Sequence, residues 1–145
     1  MSIKHSGKLV AAAAALSLLV AGAAQAATLN FTATLAGASE TPPTDSAGAG
    51  TLTATLNTTT KAFDYQVVYS GLSGPATMAH FHGPAAVGAK APPVIPVKDP
   101  ASPIKGEAML TDAQVADLEA GKWYFNVHTA AHPGGEVRGQ VVAAK

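Results

Sequence analysis

The sequence predicts an all-β domain, an antiparallel Greek-key β-sandwich of about eight strands with one short helix near residues 112–120. Three observations predict it. Apolar and polar residues alternate with period two in successive runs, the pattern of strands with one buried face. Clusters of Gly, Pro, Ser and Asn interrupt those runs at short intervals. Only one stretch carries paired helix start and stop signals.

In chain order, residues 1–26 read as a secretory signal peptide: Lys4 and Lys8 supply positive charge, Leu9 to Ala21 is apolar, and Ala24-Gln25-Ala26 fits the small-x-small cleavage pattern. The alternative is an uncleaved anchor, but the apolar run is short for a membrane span. The expected mature chain starts at Ala27 and runs to Lys145, a single domain of 119 residues in a periplasmic or secreted bacterial protein. Leu29, Phe31, Ala33 and Leu35 alternate with Asn30, Thr32 and Thr34. Leu52, Ala54 and Leu56 alternate with threonines, and Phe63, Tyr65, Val67 and Tyr69 share one face of a third run. Turns are expected at Pro42-Pro43, Asn57, Ser73-Gly74-Pro75 and Pro133-Gly134-Gly135. Segments 76–82, 93–97, 106–110, 122–128 and 135–142 are further strand candidates. Six prolines between Pro84 and Pro103 imply a long, semi-rigid loop over 83–105, with an edge strand at 93–97. Thr111 and Gln114 form a capping-box pattern, and Gly121 supplies the stop for the helix that follows.

Composition narrows the function. After the leader, seven Lys/Arg face nine Asp/Glu, so no basic patch invites nucleic acid. The chain has no cysteine, which excludes disulfides, thiolate metal sites and iron–sulfur clusters. Any ion must be held by His, carboxylate, amide, thioether or backbone groups.

All four histidines outside the leader fall in two short segments, Ala79-His80-Phe81-His82-Gly83 and Asn126-Val127-His128-Thr129-Ala130-Ala131-His132. His80 and His82, at i and i+2 on a strand, share a face with Met78. In 122–128, Trp123, Phe125 and Val127 form the apolar face, while Tyr124, Asn126 and His128 form the other. In 135–142, Glu136, Arg138 and Gln140 lie opposite Val137, Gly139 and Val141. If these strands are neighbours, His80, His82, Asn126, His128, Glu136 and Arg138 gather on one surface. Neutral imidazoles with an open position suit a borderline divalent ion, and copper binds nitrogen sites most tightly of these. The ligand set is then His80, His82 and His128, with copper preferred and zinc the alternative. Glu136 orients an imidazole or serves as a fourth ligand, and Asn126 and Arg138 support the site. Met78 is read as buried packing whose thioether is also available as a weak donor. The competing reading is a hydrogen-bonded network that pins loops to a sheet, with Glu136 and Arg138 an ordinary ion pair.

Leu35-Ala-Gly37-Ala-Ser-Glu40-Thr-Pro42-Pro43, Ser70-Gly71-Leu72, His80-Phe-His82-Gly83-Pro84-Ala85 and Tyr124-Phe-Asn126-Val-His128-Thr129, followed by Pro133-Gly134-Gly135-Glu136-Val-Arg138-Gly139-Gln140, resemble the CHRD domain. This module is named after chordin and also occurs in secreted bacterial proteins. The resemblance spans roughly residues 28–142 and implies a β-rich extracellular domain. It makes Glu40 part of the motif, as a partner for Arg138 or a histidine, and leaves His132 the weakest ligand candidate. Thr44 departs from the β-branched apolar residue that often follows the two prolines. A weaker resemblance is to Cu/Zn superoxide dismutase, in the His-x-His strand and in Arg138, but that family's cysteines and His-rich zinc loop are missing. Three functions follow: a mononuclear metal-binding module; a structural or protein-interaction module with no ion, as in chordin; and a copper-dependent redox enzyme.

Overall fold

The computed structural model describes residues 25–145 together with Ser2. The expected leader therefore lies, but for Ser2, Gln25 and Ala26, outside the described residues. Eight antiparallel strands and one α-helix follow: β1 (Thr28–Ala36), β2 (Ala49–Asn57), β3 (Ala62–Ser70), β4 (Ala76–His82), β5 (Pro93–Pro96), β6 (Ile104–Met109), α1 (Asp112–Glu119), β7 (Trp123–Thr129) and β8 (Val137–Ala143). The all-β class, the strand number and the helix agree with the sequence. No helix among the described residues is long and apolar enough to cross a membrane.

The strands form one sheet in the order β5-β4-β7-β8-β1-β2-β3-β6. Adjacent β1, β2 and β3 form a meander, its second turn built by Asn57, whose side-chain oxygen accepts the N–H groups of Thr59 and Thr60. The chain then crosses to the other half for β4 and β5, returns for β6, and crosses again through α1 to β7. The two layers expected of a sandwich stay hydrogen-bonded to each other, because β8 pairs with both β7 and β1. The sheet curls until it is nearly closed. Phe63 of β3 and Phe81 of β4, far apart in strand order, meet with ring centroids 5.4 Å apart.

The predicted alternation is what fills the interior. Phe31, Ala33, Leu35, Leu52, Leu56, Phe63, Val67, Trp123, Phe125 and Val127 are buried in one cluster. Phe81 lies at its centre, edge-on to Phe63, Tyr65 and Phe125 and tilted against Trp123, the arrangement aromatic quadrupoles favour. α1 carries the full capping box, Thr111 accepting the Gln114 N–H and Gln114 accepting the Thr111 N–H. It closes one end of the interior with Leu118.

Candidate metal centre

All seven residues of β7 are buried. Trp123, Phe125 and Val127 face the apolar core. Its even positions, Tyr124, Asn126 and His128, face a second, polar interior. The register explains the grouping: Met78 lies opposite His128, His80 opposite Asn126 and His82 opposite Tyr124 across the β4–β7 ladder, while Asn126 lies opposite Arg138 across β7–β8. Side chains directly opposite on one face sit about 4.5–5.5 Å apart at Cβ. The roof over this face is the proline-rich loop. Its carbonyls accept from His82 (Ala91 O, 2.9 Å), Arg138 (Ala89 O, 2.7 Å) and Gln140 (Ala85 O, 3.0 Å).

His80, His82 and His128 form a group whose candidate ligand atoms lie within 4.8 Å of one another. They are not equivalent. His128 Nδ1 is 2.9 Å from the Pro133 carbonyl, which only accepts, so Nδ1 carries the hydrogen and Nε2 keeps its lone pair. That Nε2 lies 3.3 Å from His80 Nδ1. Two nitrogens bound at 2.0–2.1 Å to one tetrahedral ion lie about 3.3 Å apart. His82 differs: its Nδ1 donates to Ala91, and its Nε2 lies 3.0 Å from Asn126 Oδ1. A half-turn of the amide exchanges oxygen for N–H, so Asn126 holds this nitrogen whether the ring is neutral or charged. Burial pushes the pKa of both His80 and His82 down. The charges of His128 and His82 add to this at His80; at His82 the bonds to Ala91 and Asn126 oppose it. Neutral imidazole is the form that binds a metal.

Around the histidines the polar residues are tightly committed. The Arg138 guanidinium lies 3.5 Å over the Tyr124 ring, and Tyr124 stacks on His82 with centroids 4.7 Å apart. Arg138 is 2% exposed and reaches Ala89 and Thr41, so it holds a loop rather than an approaching anion. Glu40 is buried beside Gly135, Asn126 and Arg138; burial raises its pKa against the opposing pull of the Asn126 side chain and the Arg138 charge.

Glu136 joins neither a histidine nor Arg138. Gly135, at φ 123°, turns the backbone just before β8. This puts the Glu136 carboxylate on the Thr129 side of β7, away from the His128 side. There it accepts from Ser46 (2.6 Å), the Ser73 N–H (2.7 Å), the Ser73 hydroxyl (2.6 Å) and Thr129 (2.5 Å). Burial pushes its pKa up, but these bonds outweigh it and bring the value down to about 2. The ion pair expected between Glu136 and Arg138 is therefore absent among the described residues, both being buried with other partners. His132 lies outside the group, its backbone closing a turn with Thr129. Met78, expected as packing, is 46% exposed at the open edge of the cluster. Tyr124 and Gln140 could be placed on this face by parity; Ser46 and Ser73 carry no local signal.

No curated protein and no solved structure gives a significant match to the chain. The family model of the CHRD domain matches residues 31–141, a span that takes in at least part of all eight strands and every residue of the histidine group. The chain belongs to the CHRD domain family.

Proposed function

We propose that this CHRD domain is a mononuclear metal-binding module, copper preferred over zinc, that works in the periplasm or outside the cell. One observation carries the reading: His80 Nδ1 and His128 Nε2 face each other at 3.3 Å, with the far nitrogen of His128 tied to a backbone carbonyl. A ring fixed in this way by its second nitrogen is the usual state of a metal-ligating histidine. An ion entering between the two nitrogens displaces the one proton they share. His82 is the third imidazole of the group and joins only by giving up Asn126. The extracellular setting rests on the leader pattern of residues 1–26.

The test is calorimetric titration of chelator-stripped protein with Cu(II) and with Zn(II), wild type against a His80→Ala/His128→Ala double variant. One-to-one binding that is lost in the double variant supports the module. No binding tighter than about micromolar refutes it. That result would favour the second reading, a structural or protein-interaction module. The bonds of Arg138 and Gln140 to carbonyls of the proline-rich loop, and of Asn126 to His82, support that reading for those three residues. Redox turnover at the ion is the third reading, and it requires activity above that of free copper.

A further inference from the structure

We propose that Met78 supplies the third donor of this centre and that the ion it selects is cuprous copper. The inference rests on the metal-binding reading and adds an oxidation state and a ligand to it. Met78 and His80 stand at i and i+2 on β4, on one face, and Met78 is the direct cross-strand partner of His128. Both nitrogen donors therefore have the same methionine as their neighbour, one along the strand and one across it. A directly opposed pair is within reach of a long side chain, and three rotatable bonds let the sulfur swing onto an ion between the imidazoles.

Packing gives no other account of this residue. Met78 is 46% exposed, and it belongs neither to the apolar core nor to the residues packed against it. It stands instead where the polar face opens to solvent. His82, the other candidate for a third donor, has both ring nitrogens engaged, by Ala91 and Asn126. The open position next to His80 and His128 is thus a sulfur position. A thioether is a soft donor that favours Cu(I), whereas imidazoles alone do not separate copper from zinc so sharply. With no cysteine in the chain, a methionine is its only source of a soft ligand.

The experiment uses Met78→Leu, a change at an exposed position that keeps size and polarity. Cu(I) affinity is read anaerobically by competition with a chromogenic Cu(I) chelator, and Zn(II) affinity by calorimetry. Copper X-ray absorption of the Cu(I) protein reports on sulfur scattering. The expected result is a loss of at least about tenfold in Cu(I) affinity, with Zn(II) affinity unchanged and the sulfur scatterer gone. Undiminished Cu(I) affinity, or a wild-type spectrum with no sulfur scatterer, overturns the role of Met78. If the ion is still lost in the His80→Ala/His128→Ala variant, the metal module stands without it. A wild-type protein that binds neither ion overturns both.

Discussion

Replacing Glu136 with Ala removes the acceptor of four hydrogen bonds that join three separate parts of the chain. Ser46 precedes β2, Ser73 lies between β3 and β4, and Thr129 ends β7. Thr44 adds a fifth tie, its hydroxyl donating to the Glu136 carbonyl at 2.7 Å. Bonds to a charged group contribute about 1.5–3 kcal/mol each when taken singly. The desolvation of a carboxylate offsets much of that sum, and each neutral donor left buried without a partner costs about 1–3 kcal/mol, so the net loss should be about 3–5 kcal/mol. A domain of this length shifts its midpoint by about 4 °C per kcal/mol, so Glu136→Ala should melt about 12–20 °C below the parent. Glu136→Gln should cost less, because the hydroxyls can turn to accept from its N–H groups. It should change the acid response instead. The folded pKa of about 2 lies below the ordinary 4.5. The stabilisation from the charged form is therefore complete above about 4.5 and is lost as the pH falls towards about 2. Thermal melts across that window should show a steeper decline for the parent than for Glu136→Gln. Parallel pH profiles, or an Ala variant within about 1 kcal/mol of the parent, would refute the reasoning.

Two further substitutions probe the two interiors. Phe81→Ala leaves a hole among four other rings and should lower stability by about 3–5 kcal/mol in urea denaturation; a change below about 1 kcal/mol would mean that the curled sheet does not depend on that aromatic centre. Gly135→Ala forces a side chain into φ 123° and drives its Cβ into the Glu40 carboxylate and the Asn126 amide. The backbone strain alone costs about 1–3 kcal/mol, and the imidazole NMR signals of His82 should move as Asn126 is displaced. An unperturbed His82 would show that Asn126 does not fix that ring.

The strands, the helix and the two faces of β7 were legible because period-two alternation and the capping box are local signals. Asn126, His128 and Arg138 fell on the face predicted for them for the same reason. Glu136 did not follow, since parity counts residues along an unbroken strand and Gly135 breaks the count. The partners of Glu136 were out of reach for another reason: Ser46 and Ser73 lie in loops, where no periodicity fixes direction. His82 shows a third limit. Its face was right, but its Nδ1 is taken by the backbone carbonyl of Ala91, a residue whose side chain carries no chemistry. Backbone carbonyls are invisible to a reading based on residue type.

The position of β8 bears on how this protein reaches its shape. It is the latest of the eight strands in sequence, yet it lies inside the sheet, pairing residue 143 with residue 31 on one side and residue 137 with residue 127 on the other. Until it arrives, β1 and β7 each present an open row of amide and carbonyl groups, templates for wrong pairings with other chains. Contacts so distant in sequence also make closure slow, in the millisecond-to-second range typical of such topologies. A nascent chain therefore carries two unprotected edges until its synthesis passes residue 143, and one strand then seals both.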